Sequence, residues 1–343
     1  MSHPPMSHQN RSVLAAVTLF FVAPLVAEFL LGDFPATWLP LIIVLAPMYG
    51  GGALLIRELT RRTGRGWPTI LLLGVAYAII EEAFTTQSLF NPHYLGMHLL
   101  SHAWIPSLGI SAWWTLFMLN VHPFWSIGVS IALVEGLFPQ PAGSYQSSAR
   151  TPWLGNVGLS VAAILFVAGA CYNTRYQLHH DPFRATAAQF IVSALFVVVF
   201  AAAAFLIPPP GPSRNPSPTP SPWLMCGAAF LLGAVVFLSP VLWDWGAVVL
   251  MLAVDLVFLV GIGLFSQCSG WTPLHTFSVG AGGALLYGAH AFMQGPVVPC
   301  PKWIALASHV LFMVLAIVVV AIAARRTRSA MLQGTREETP ARA

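Results

Sequence analysis

An all-α bundle of about ten membrane-crossing helices is the fold this sequence predicts, and three observations carry it. Of 343 residues, 57% are hydrophobic and only 8% are charged, whereas a soluble domain carries about a quarter charged residues. Apolar runs of about 20 residues, the length that crosses a hydrocarbon core about 30 Å thick, recur from one end of the chain to the other. The basic residues, 14 Arg and one Lys, gather in alternate connecting segments, the bias that orients a polytopic protein. This composition excludes a soluble enzyme, a disordered chain and a nucleic-acid-binding protein, despite a formal net charge of +4. The partner it implies is the lipid bilayer.

Taken in order, residues 1–11 are polar, and the apolar run 12–31 is too long for a cleaved signal peptide, so it reads as a signal anchor. Further spans follow at 41–57, 68–90, 112–138, 153–173 and 186–207, which makes a first block of six spans over 12–207. Residues 208–222 hold eight prolines in fifteen. Proline lacks the amide donor and resists helix, so this stretch reads as an extended polar linker. A second block over 223–324 carries four spans, at 223–239, 245–265, 272–294 and 303–324, before a basic tail at 325–343. With the N-terminus inside, 12 basic residues fall on the cytoplasmic side against three outside (Arg175, Arg184 and Lys302). That distribution predicts a multi-pass plasma-membrane protein with both termini cytoplasmic. The four cysteines are isolated, which argues against a zinc site or a disulfide framework, and no cofactor is expected. The motif GGALL occurs at 51–55 and again at 282–286. With Pro47 and Gly50, its first copy reads as a site of close helix packing.

The acids are the informative residues. Of eleven, five fall within spans: Glu28, Glu81, Glu82, Glu135 and Asp255. An ionisable side chain in the bilayer core costs at least about 2.5–3.5 kcal/mol, so such residues are rare and usually paired or functional. No Arg or Lys is expected deep enough to neutralise them. Glu135, near the cytoplasmic end of its helix, is expected to reach the interface, with Arg150 as a partner. The centre of interest is Glu81-Glu82, followed by Thr85, Thr86, Gln87, Ser88 and Asn91 as a polar stripe. A pair of glutamates in unlike environments is a workable acid–base couple. In the next, antiparallel span, His122 lies at a matching depth by a rise of about 1.5 Å per residue. Pro123 beside it frees a backbone carbonyl and kinks the helix. Asp255, His290, Gln294 and Glu28 are further candidates for the same outer half, and a metal there is left open. The intervening segment 91–111, with His93, His98 and His102, reads as an interfacial cover whose histidine spacing fits no zinc motif.

Paired membrane glutamates followed by a histidine in the next helix resemble the CAAX-prenyl-protease and bacteriocin-processing (CPBP, Abi) family of intramembrane peptidases. That family's pattern is E-E-x-x-x-R, then F-x-x-x-H, then H-x-x-x-N/D. Glu81 and Glu82 match the first two positions, with Thr86 at that of the arginine. His122 matches the second histidine, with Met118 at the phenylalanine. His290 and Gln294 fall on the third motif, Gln standing for Asn or Asp. The resemblance implies that glutamate and histidine activate a water for hydrolysis; the chain at large is similar to uncharacterised polytopic membrane proteins of actinobacteria. Three readings remain open at this point: an intramembrane hydrolase, a proton-coupled small-molecule transporter, and a non-catalytic membrane scaffold.

Overall fold

A computed structural model describes residues 8–140, 151–209, 211, 215–239 and 244–337. It is nearly all helix. The first pass is α1 (His8–Pro24), which runs on into a π-helical turn, Leu25–Leu30, and stops at Gly32 in the left-handed region (φ +104°). The second is α2 (Ile42–Arg62). The third is α3 (Trp67–Ile79), continued by a π turn at Ile80–Thr85. The fourth is α4 (Ala112–Asn120), a nine-residue π segment Val121–Val129, and α5 (Ser130–Leu137) in one rod. Single helices make the rest: α6 (Asn156–His180), α7 (Ala187–Leu206), α8 (Pro222–Leu238), α9 (Asp244–Phe265), α10 (Pro273–His290) and α11 (Lys302–Glu337). Eight of these passes are long and apolar enough to cross a membrane. The seventh and ninth, α8 and α10, are shorter or less apolar, at roughly 25–27 Å by their residue count.

Burial separates an inner from an outer set. The best 18-residue window of the fourth pass is 83% buried, while those of α6 and α7 are each 11% buried. The inner rods therefore hold the protein core, and the outer helices turn Val, Ile and Leu outward, as lipid contact requires. Close helix approach is bought by glycine. A Cβ on Gly50 would lie 2.1 Å from the Phe20 carbonyl oxygen, and one on Gly282 would lie 2.2 Å from that of Cys226. The first GGALL copy thus sits where α2 crosses α6, with Gly50 just before it against α1, and the second sits where α10 crosses α8.

Contacts at the helix ends sort the passes by face. Arg11 donates to Pro139 O and Arg326 to Leu137 O, so the first and last helices begin and end on one face, which we call the basic face. On the opposite face, segment 91–111 forms short turns and a two-stranded hairpin, Trp104–Ile105 with Ile110–Ser111. Ala103 N donates to the Asp244 carboxylate there.

The structure corrects one expectation about charge. The second span does not end at Arg57: the helix continues to Arg62 and carries Arg57, Glu58 and Arg61 into the interior. Glu135 accepts from Arg57 Nε (3.2 Å), Arg61 Nε (3.0 Å) and Arg61 Nη2 (3.0 Å), while Glu58 accepts from Arg57 Nη1 (2.5 Å). Glu135 is therefore neutralised inside the protein by arginines rather than reaching an interface; Arg150 lies outside the described residues. Windows based on apolarity miss this arrangement because they end a span at its first charge.

Candidate functional site

Each of the three π-helical segments carries part of one cluster: half-buried Glu28 on the first, and buried Glu81 and Glu82 on the second and His122 on the third. A π turn inserts one residue into the helical ladder and recurs at functional sites. Local sequence accounts for two of them. Pro24 immediately precedes the first, and Pro123 lies within the third, where its missing N–H and ring clash disfavour a regular α-turn. The second is closed by Thr86 N donating to Glu81 O at 2.8 Å, five residues back. It ends at Gln87, a non-glycine residue in the left-handed region (φ 55°).

The cluster centres on an imidazole between two carboxylates. His122 Nε2 lies 2.8 Å from Glu82 Oε1, and His122 Nδ1 lies 3.2 Å from Glu81 Oε2. Glu81 and His122 are each 4% exposed and Glu82 is 6% exposed. The two glutamates, alike in the sequence, differ in their surroundings. The second oxygen of Glu82 accepts from Thr86 Oγ1 at 3.0 Å and from the Ser88 hydroxyl, which itself accepts from Trp114 Nε1 at 3.1 Å. Glu82 is thus held on both oxygens. Glu81 Oε2 and His122 Nδ1 are close in charge contact but outside hydrogen-bond geometry, so that oxygen keeps an open lone pair.

Two tyrosines pack against the ring and reach Glu81 as well. Tyr49 stacks on the His122 imidazole at 6.5 Å between centroids, and Tyr77 meets it edge-on at 5.9 Å. The Tyr49 hydroxyl donates to Glu28 Oε1 at 2.6 Å, and Glu28 interacts electrostatically with Glu81, His122 and Glu82. Beyond Glu28, in the loop between the first two passes, lies Asp33. Burial, and secondly the charge of Glu28, raise its carboxyl well above the ordinary value, against the amide of Gln294. Tyr94 of the covering segment faces the same acids: burial first, then Glu82, Glu28, Glu81 and Asp33, push its phenol up.

Not every residue of the predicted stripe joins the centre. Thr85 is buried on the π turn but bonds neither glutamate. Gln87 Oε1 accepts from Ala185 N (2.7 Å), and Asn91 Nδ2 donates to Asp181 (2.5 Å), so both tie the covering segment to the α6–α7 connection. Asp255 receives Asn120 Nδ2 at 3.1 Å, on another side of the fourth pass. His290 packs on the Phe237 ring at 4.7 Å, and Gln294 donates to the Asp33 carboxylate. The third motif of the peptidase resemblance is therefore not assembled around Glu81 and Glu82. Sequence reasoning missed Tyr49, Tyr77, Trp114 and Asp33. The tyrosines had a signal, a phenol at mid-span in helices otherwise apolar, whereas Asp33 had none before the fold joined it to Glu28.

Glu81, Glu82 and His122 each offer one ligand atom, all within 4.8 Å of one another, and so could hold a divalent cation. With both ring nitrogens already facing carboxylates, a metal would have to displace one of these contacts. The arrangement as it stands is suited to moving a proton: a fixed carboxylate, an imidazole that titrates near neutrality in water, and a second carboxylate with an open oxygen.

Fold and site together define a polytopic α-helical membrane protein with a buried carboxylate–imidazole centre. The chain matches the model of an uncharacterized membrane protein family over residues 17–206, more than half its length, and it belongs to that family. The matched stretch contains Glu28, Glu81, Glu82 and His122. No curated protein and no solved structure matched the chain. Family membership supports the polytopic membrane reading and adds nothing to the peptidase resemblance.

Proposed function

We propose that the protein is a proton-coupled transporter whose coupling site is the Glu82–His122–Glu81 centre. One observation carries the reading. Glu82, His122, Glu81, Glu28 and Asp33 form an electrostatically connected series from the buried centre to a loop on the face opposite the basic one, with the Tyr49 hydroxyl on Glu28. Intramembrane acids in such chains mark proton relays in pumps and transporters. The roles follow from hydrogen bonding. Glu82, saturated by His122, Thr86 and Ser88, orients the imidazole. Glu81, with its open oxygen, takes the proton from Glu28 and passes it to His122. By the distribution of arginines, the basic face is the cytoplasmic one, so the series opens outward.

The hydrolase reading draws support from the same order of carboxylate, imidazole and carboxylate, in which Glu81 would act as base toward a water. It has less support, because His290 packs on Phe237 and Gln294 bonds Asp33, so among the described residues neither bonds Glu81, Glu82 or His122.

The test uses the full chain in liposomes that hold a pH-sensitive dye under an imposed pH gradient. A panel of amino acids, sugars and organic ions is added in turn. Solute-driven proton flux is expected in the wild type and absent in Glu81→Gln. A wild type that moves no protons with any solute, yet cleaves a membrane-borne peptide in detergent, establishes the hydrolase instead. If Glu81→Gln and Glu82→Gln only lower the melting temperature, the centre is a scaffold.

A further inference from the structure

Between α9 and the rest of the bundle lies a cavity of about 260 Å³, lined by residues of α3, the fourth pass, α8, α9 and α10. Its lining does not include Glu81, Glu82 or His122. It is apolar and ringed by Trp67, Phe124, Trp125, Phe258 and Trp271, and the one charged lining residue among those described is Asp255. Asp255 has Asn120 on Oδ2 at 3.1 Å, while its Oδ1 makes no hydrogen bond among the described residues. Trp125 Nε1 is buried without a hydrogen-bond partner among the described residues.

A half-buried carboxylate with a single amide donor, set in a membrane-embedded apolar cavity, holds its charge at a cost that a cation relieves and that a proton relieves otherwise. Apolar walls of this kind favour a bulky, poorly hydrated ion over a strongly hydrated one, because little hydration is lost on entry. A neutral acyl chain would fill the apolar walls and leave Asp255 uncompensated. An anion would be repelled. We propose that this cavity binds a lipophilic organic monocation, with Asp255 as its counter-ion and the aromatic ring as its walls. The site goes beyond the transport reading, since binding requires neither a gradient nor Glu81. The two are linked in one respect: Asn120, which holds Asp255, is two residues from His122, so an occupant presses on the same helix that carries the imidazole.

The probes are tetraphenylphosphonium and tetraphenylborate, two ions of one shape and opposite charge, titrated against the full chain in lipid nanodiscs by tryptophan quenching. The phosphonium should bind at least tenfold more tightly than the borate, and Asp255→Asn should weaken it tenfold or more while strengthening the borate, so that the preference between the two ions collapses. A second variant guards against misfolding. Gly263 lines the cavity, and a Cβ built on it meets nothing within 4 Å, so Gly263→Phe should plug the space and abolish phosphonium binding. Equal affinity for the two ions, as an acyl-chain pocket would give, overturns the proposal. So does phosphonium binding that survives either substitution.

Discussion

Replacing Glu135 by Gln leaves two guanidinium groups facing a neutral amide in the interior, and the cost can be worked from the contacts. Arg57, Glu58, Arg61 and Glu135 carry two charges of each sign, and their side chains are 0–4% exposed. Glu135 supplies both oxygens to the two arginines through three hydrogen bonds of 3.0–3.2 Å. Removing it shifts the balance to a net +1 that water cannot reach. Breaking a buried pair from one side costs about 3–5 kcal/mol, which lowers the folding equilibrium by about two to four orders of magnitude. Arg57 also lies 3.5 Å from the centre of the Trp153 ring, and Glu58 holds Trp153 N and Leu154 N at 3.1 Å. The loss should therefore loosen the segment entering α6 and show in tryptophan fluorescence. The assay is reversible unfolding by denaturing detergent in bicelles, followed by that fluorescence, for Glu135→Gln, Arg61→Gln and the double variant. The double variant restores neutrality and should be more stable than the sum of the singles implies, by about 1 kcal/mol or more. A single variant within about 0.5 kcal/mol of wild type, or strict additivity, refutes the reasoning.

Gly74→Ala would set a Cβ 2.8 Å from the Pro123 backbone. This overpacking should cost about 1–3 kcal/mol and displace His122, so that proton flux falls more than the shift in melting temperature explains; unchanged flux and stability count against the packing described. Ser88→Ala removes the hydroxyl between Trp114 Nε1 and Glu82, leaving a buried donor and acceptor unmet, at about 1–3 kcal/mol in the same unfolding assay. Asp33 holds its proton more tightly in the folded chain than its ordinary value of 3.8 allows, chiefly through burial. The folded state is thus favoured by this group below about pH 4 and loses that stability as pH rises toward the raised value. Melting curves of Asp33→Asn should gain on the wild type as pH rises through that window, and parallel curves would sink the argument.

The helical bundle was legible because apolar length and arginine placement act over whole segments, and no tertiary contact is needed to read them. Glu81, Glu82 and His122 were legible for a related reason: a buried charge is expensive wherever it lies, and equal depth in adjacent antiparallel helices brought them together. What could not be read was rotation about each helix axis. Gln87 and Asn91 lie on the same stretch as the glutamates but turn toward the Asp181–Ala185 connection, because the chain leaves the π turn through a left-handed residue. Glu58 and the arginines beside it read as loop charges, since composition alone cannot tell a snorkelling arginine from one folded inward onto a carboxylate.

The three π segments have a consequence for motion. Each stores one residue more than an α-helical turn needs, and that surplus can be handed along the helix without unfolding it. A helix rotates by about 100° per residue, so moving a π turn by one position swings the neighbouring side chain through more than a quarter circle. At Val121–Val129, one such step would carry His122 off Glu82 and Glu81 while the ends of the pass stay anchored. The fourth pass is thus the element in which a change of helical register would act directly on the carboxylate–imidazole contacts.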